Sequence, residues 1–106
     1  MRNGIVIDGR DNVVVAVYDL KAGDEVNYPM PGSDEMGHVT ASQDIPLFHK
    51  VALTDIAAGE MVIKYGEYIG VATTDIRRGD HVHTHNCESA DAAKSAADEK
   101  LGASNA

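Results

Sequence analysis

Apolar residues along this chain come in short runs that alternate with polar ones and stop at glycine, proline or aspartate, the pattern of short strands joined by tight turns. Candidate strands cover residues 4–7, 12–18, 25–28, 37–41, 47–53, 61–63, 68–73 and 80–85, each rich in Val, Ile, Thr or Tyr. Residues 29–37 hold two prolines and two glycines and read as an exposed loop. From residue 88 the character changes: the segment 88–106 is Ala-rich and charged, with Leu101 its one large apolar residue. It reads as a frayed tail or a short helix ending near Gly102, so the expected division is a domain over 1–87 and a tail over 88–106.

Across the strand-rich region a single pattern recurs, A-x-x-D-[I/L]-x-x-G-[D/E]-x-V, beginning at Ala16, Ala52 and Ala72. The intervals are unequal. Solenoids repeat at a fixed period because identical units stack, so the spacing predicts one compact domain that reuses a supersecondary unit. Each copy reads as a strand entering a tight turn, with Gly23, Gly59 and Gly79 supplying backbone conformations that other residues reach at a cost.

Composition narrows the class. A chain of 106 residues with no Trp and one Phe must build an aliphatic core. Its longest apolar run, 13–17, is far short of the roughly 20 residues that span a bilayer, and the N-terminus has no secretory apolar segment. The expectation is therefore no membrane and, with Cys87 alone and unable to pair within the chain, a reducing cytoplasm. Seventeen Asp and Glu stand against nine Lys and Arg, for a formal charge of −8. That balance argues against nucleic acid, which requires clustered cations. An anionic small molecule remains possible where a local cation or metal overrides the field.

The only dense histidine cluster closes the third copy, H-V-H-T-H-N over 81–86. On a strand over 80–85, His81, His83 and His85 point to one face, with neighbours about 7 Å apart. Two imidazoles at that spacing can turn onto one metal, and all three only if the strand bends. His83 and His85 are the favoured pair with His81 in support; the alternative is a polar edge strand facing solvent. His49 and Lys50 are adjacent, so strand alternation lets only one face the site, and His49 is favoured because Phe48 and Lys50 then share the other side. Asn86 either orients a ligand or ends the strand in a turn. Cys87 reads as a small thiol rather than a soft ligand, Arg77 and Arg78 as a solvated corner, and His38 as outside the chemistry.

These segments carry a resemblance. I-P-L-F-H-K-V-A-L, D-I-A-A-G-E, I-K-Y-G-E-Y-I-G and H-V-H-T-H-N, in that order from Ile45 to Asn86, are similar to the SAF-type N-terminal domain of the altronate dehydratase family, to which galactarate dehydratase and sulfolactate sulfo-lyase also belong. The resemblance implies an all-β, SAF-like β-clip fold and a lyase acting on a small anionic sugar acid. This chain stops where the family's usual chain continues, which implies a small subunit that works with a large subunit of the same family in an oligomeric assembly. It also implies a divalent metal, iron(II) or manganese. The residues implied are His49, His83 and His85 for catalysis, His81, His83 and His85 for metal, and Lys64, Lys50 and Asn86 for substrate. A sulfo-lyase small subunit, or a non-catalytic binding or assembly module, is the alternative.

Overall fold

The structure, a computed structural model, describes residues 2–89. Among these there is no helix, and the strands are β1 (Gly4–Ile5), β2 (Val13–Ala16), β3 (Glu25–Pro29), β4 (Met36–Thr40), β5 (Lys50–Ala52), β6 (Met61–Lys64), β7 (Glu67–Ala72), β8 (His81–Val82) and β9 (Cys87–Ser89). They pair antiparallel throughout, in a sheet of order β1-β2-β5-β8, a hairpin β3-β4 and a sheet β6-β7-β9. This is the SAF-like all-β domain expected. Pairing of β9 with β7 carries the sheet on through Ser89, past the boundary placed at residue 87. The helix considered for the tail lies outside the described residues.

The repeated pattern is a turn with a fixed set of hydrogen bonds. Gly23, Gly59 and Gly79 all have left-handed backbone, φ 92°, 89° and 94°, which a side chain would strain. Their N–H groups donate to the carbonyls of Ala41, Ala72 and Ala52. The acid that follows each glycine turns back: the carboxylates of Asp24, Glu60 and Asp80 accept the N–H of Lys21, Ala57 and Arg77. The pattern's own Asp reaches across to the facing turn, Asp55 accepting the Arg78 N–H and Asp75 the Ala58 N–H, both at 2.9 Å. The second and third copies thus hold each other reciprocally, joined also by the Ile56–Ile76 bridge.

The first copy faces a partner that its sequence conceals. Residues 41–51, A-S-Q-D-I-P-L-F-H-K-V, make the same turn: Asp44 accepts the Ala22 N–H, Asp19 accepts the Leu47 N–H, and Leu20 bridges Ile45. Phe48 stands in the glycine position with φ 67°, and its N–H donates to Ala16 as the glycines do. His49 stands in the position of the acid. Pro46 has no N–H for an acid to cap, so the carboxylate that the other copies need has no work here, and the position is free to carry an imidazole.

The Ala, Ile/Leu and Val of the four copies are the core. One cluster takes Ala16, Leu20, Val26, Ala41, Ile45 and Val51, the other Ala52, Ile56, Val62, Ala72, Ile76 and Val82. Strand β2 runs between them, with Val14 in the first and Val13 in the second, as side chains alternate along a strand. Truncating a fully buried isoleucine such as Ile56 therefore costs about 2 to 5 kcal/mol.

Local departures from the strand expectations have plain causes. The 47–53 stretch becomes a strand only from Lys50, because the turn extends through His49. The 29–37 loop contracts to a hairpin tip, since Pro29 still pairs with Met36. Tyr65 and Gly66, both at positive φ (55° and 77°), form the two-residue hairpin turn that joins β6 to β7, the conformation matching strand twist. A bulge at Val62/Ile63 is bridged by Asn12, whose amide bonds Met61 and Ile63.

Candidate functional site

Strands β5 and β8 are neighbours, with Lys50 opposite Val82 and Val51 opposite His81. This pairing sets the hidden turn's His49 beside the third copy's exit. Strand β8 is only His81–Val82, so the straight strand over 80–85 does not form. Instead the chain turns. The His83 carbonyl accepts the N–H of Asn86 and of Cys87, and Asn86 clasps the turn from inside, its Oδ1 accepting the His83 N–H at 3.0 Å and its Nδ2 donating to the His81 carbonyl at 2.8 Å. With 7% exposure and both ends of its amide on main chain, Asn86 shapes the cluster from within and ends the strand.

The bend gathers four imidazoles. His49 Nδ1 lies 2.8 Å from His81 Nε2, with ring planes 21° apart and centroids 5.0 Å apart: the rings meet edge to edge in nearly one plane, joined by an N–H···N hydrogen bond. His83 stacks face to face on His49, centroids 3.9 Å apart, and His85 leans on His81 at 5.0 Å. His81 is therefore the hub, where the spacing puts it in support of His83 and His85. Burial, then the charges that His85, His49, His83 and Lys50 would bring, push His81 down to about 4. Burial and then His49 and Lys50 also lower His83. At neutral pH His81 is uncharged, and its bond to His49 carries one proton between two nitrogens.

Lys50 does not turn away. Because His49 belongs to the turn and not to the strand, alternation does not separate the two, and both reach His83. Lys50 lines a cavity of about 140 Å³ with Ile69, His83, Thr84, Cys87 and Ser89. Burial, and then the nearby charge of Lys64, push its ammonium below the ordinary value. Lys64, at the end of β6, rests its Nζ 5.2 Å from the Tyr65 ring centroid. Lys50 thus stands beside His83, with Lys64 close enough to Lys50 for their charges to repel, in a chain of charge −8. Burial raises the Cys87 thiol, which disfavours the thiolate.

Two other residues lie apart from this cluster. His38 bonds Asn27 and Glu25. Arg78, expected at a solvated corner, ties the third turn to the sheet by donating to the carbonyls of Leu53 and His38. Sequence reasoning passed over Asp11, only 9% exposed, whose carboxylate accepts the N–H groups of Ile7, Asp8 and Gly66. Nothing in its neighbours distinguishes it from the surface aspartates.

As a metal site the cluster is incomplete. Two nitrogens face each other across 2.8 Å, but the other rings stack beside them, and among the described residues no group of three His, Cys, Asp or Glu side chains is placed to hold an ion. A catalytic divalent site takes about three protein ligands, which this cluster does not supply. What the cluster offers on its own is a hydrogen-bonded imidazole pair with an outer nitrogen at each end, with Lys50 nearby.

Residues 2–90 match the altronate/galactarate dehydratase SAF domain family. The chain is 51% identical over 82 residues to altronate dehydratase of Escherichia coli (strain K12), a match covering 77% of this chain but only 15% of that protein's length. It is 56% identical over 50 residues to (2R)-sulfolactate sulfo-lyase subunit alpha of Paracoccus pantotrophus, covering 47% of this chain and 75% of that subunit. With the subunit alpha of Chromohalobacter salexigens it shares 39% identity over 83 residues, 77% of this chain and 88% of the subunit.

Proposed function

From the premise that this chain belongs to the altronate/galactarate dehydratase SAF domain family, we propose that it is the small subunit of a lyase that dehydrates an aldonate such as altronate to a 2-keto-3-deoxy acid together with a separate large subunit. The observation that carries this reading is the imidazole cluster with Lys50 beside it and Lys64 near Lys50, where this acidic chain brings proton carriers and positive charge together. A carboxylate can seat against the lysines. The proton beside that carboxylate leaves to a base, and the β-hydroxyl departs as water once it has taken a proton. The His49–His81 pair is built to deliver that proton: as the outer nitrogen of one ring takes a proton, its inner N–H passes to the other ring, whose outer N–H is released.

The neighbouring cavity, at about 140 Å³, is smaller than the 300 to 1,000 Å³ that ordinarily encloses a small-molecule ligand. A six-carbon acid needs walls from another chain. That agrees with a domain that is 15% of one relative and most of a subunit in another. Iron(II) or manganese, held by ligands of the large subunit with at most His83 or His85 of this one, would supply a Lewis acid for the developing negative charge.

The coverage of the two subunit alpha relatives, 75% and 88%, favours a second reading in which sulfite leaves in place of water from sulfolactate; the same residues serve, since the carboxylate and the departing β-group are shared. Steady-state assays decide between them: the chain alone, the large subunit alone and the two together, against aldonates, aldarates and sulfolactate. We expect turnover only from the pair. Turnover by the 106-residue chain alone would refute the two-subunit reading, and full turnover by the large subunit alone would leave this chain a non-catalytic binding or assembly module.

A further inference from the structure

Four turns of this domain share one backbone, and three place glycine at the left-handed residue, at φ 92°, 89° and 94°. The fourth places Phe48 there, at φ 67°, where a Cβ is strained. The ring gains nothing from the fold in return. It is 68% exposed, the most exposed of the large apolar side chains among the described residues, and has no part in either core cluster. Decay of an idle turn does not explain it, because the turn keeps its hydrogen bonds: Phe48 to Ala16, His49 to Pro46 and Leu47 to Asp19. Only side chains have changed, in the run Pro46, Leu47, Phe48 and His49, and the last of these belongs to the imidazole cluster. An exposed aromatic held in a strained conformation beside a functional group is a feature that a bound surface accounts for and the free domain does not.

We propose that Phe48, next to the exposed Leu47, is the anchor by which this domain seats on the large subunit of the lyase, in an apolar pocket that also fixes His49 at the substrate. The inference rests on the two-subunit reading above. The occupant is the large subunit because the matched region is 15% of the length of one relative and most of a named subunit in another, so a larger body accompanies it. That body must cover the face bearing His49 if the cluster is to meet an enclosed acid. A rigid exposed aromatic is the residue type that dominates such contacts.

The test is Phe48→Gly, read two ways. In the isolated chain the substitution relieves the left-handed strain, and the melting temperature rises by a few degrees. Against the large subunit from the same organism, the Kd measured by calorimetry weakens by about 30-fold, as for loss of an interface anchor, and Phe48→Trp restores most of it. The divergence of the two readouts is the signature, since a residue serving only the fold would lose stability. Binding within threefold of the native chain overturns the anchor while leaving the two-subunit reading intact; failure of the native chain to bind at all overturns both. If sedimentation shows the native chain dimeric and Phe48→Gly monomeric with large-subunit binding unaltered, the ring serves a second copy of this chain and the proposal is wrong.

Discussion

Replacing Asn86 by Ala should unmake the turn that gathers the histidines. Its amide accepts the His83 N–H at 3.0 Å and donates to the His81 carbonyl at 2.8 Å, and at 7% exposure water cannot readily take over either bond. Each lost hydrogen bond costs about 1 kcal/mol net, and more where the partner stays buried and unpaired, so the sum is about 2 to 4 kcal/mol. Asn12→Ala is the comparator. Asn12 also bonds two main-chain groups, the Ile63 N–H at 2.7 Å and the Met61 carbonyl at 2.9 Å, but it holds the β6 bulge and not the cluster. Urea denaturation should show both variants destabilised, with Asn86→Ala the larger loss because its site is drier. An NMR titration of the imidazole signals should separate them: in Asn86→Ala, His81 and His83 move up toward the ordinary histidine value as the rings part, whereas Asn12→Ala leaves them depressed. Stability of Asn86→Ala within about 0.5 kcal/mol of the native chain, the scatter of surface substitutions, or unmoved titrations, would show that the amide does not hold the cluster together.

Three further outcomes follow from particular contacts. Gly79→Ala should cost more than Gly23→Ala or Gly59→Ala, because all three strain a left-handed residue but only at Gly79 would a new Cβ press on backbone, 2.5 Å from the Thr40 carbonyl oxygen; we expect roughly 1 to 2 kcal/mol for the latter two and clearly more for the first, by denaturant titration. Stability should fall as the pH drops from about 6.5 toward about 4, since a native His81 depressed to about 4 binds fewer protons there than the unfolded chain does; His81→Asn should flatten that part of a urea-stability curve measured with chelator present. In the reconstituted lyase, Lys50→Met and Lys64→Met should each lower kcat/KM by an amount equivalent to roughly 1 to 3 kcal/mol, the loss of a charge-assisted hydrogen bond, and unchanged kinetics for both would assign the carboxylate to the large subunit or a metal.

The strand and turn architecture was legible because turns leave hard chemical marks. A left-handed residue favours glycine, a tight turn wants a carboxylate to cap its first N–H, and a core position beside it wants Ala, Ile or Val; the three intact copies satisfy all of these, and the structure places every such residue as the pattern requires. The cluster was less legible because its geometry is made by exceptions to periodicity. Alternation treats 80–85 and 47–53 as continuous strands, which separates Lys50 from His49 and makes His83 and His85 the natural pair. The chain leaves the strand after Val82 and enters one only at Lys50, and neither switch has a strong local signal: Asn86 is readable as a turn residue, but its role in tying His83 back to His81 depends on a contact that spacing does not encode.

The fourth copy went unread for a more instructive reason. A search for the pattern discards 41–51 at its two most diagnostic positions, where Phe48 replaces Gly and His49 replaces an acid. Yet the rest of the pattern is present, and Pro46 removes the N–H whose absence makes the acid dispensable. Two of the substitutions, at 46 and 49, are coupled: had residue 46 kept its N–H, the loss of the carboxylate would leave a turn donor uncapped, and His49 would come at a cost in stability. Local rules tend to be broken where a site is built, and here the break is compensated at the level of one hydrogen bond. The same framework that stabilises three corners of the domain as plain turns, through a glycine and a capping acid, delivers at the fourth an imidazole within 2.8 Å of another, without altering the turn's backbone.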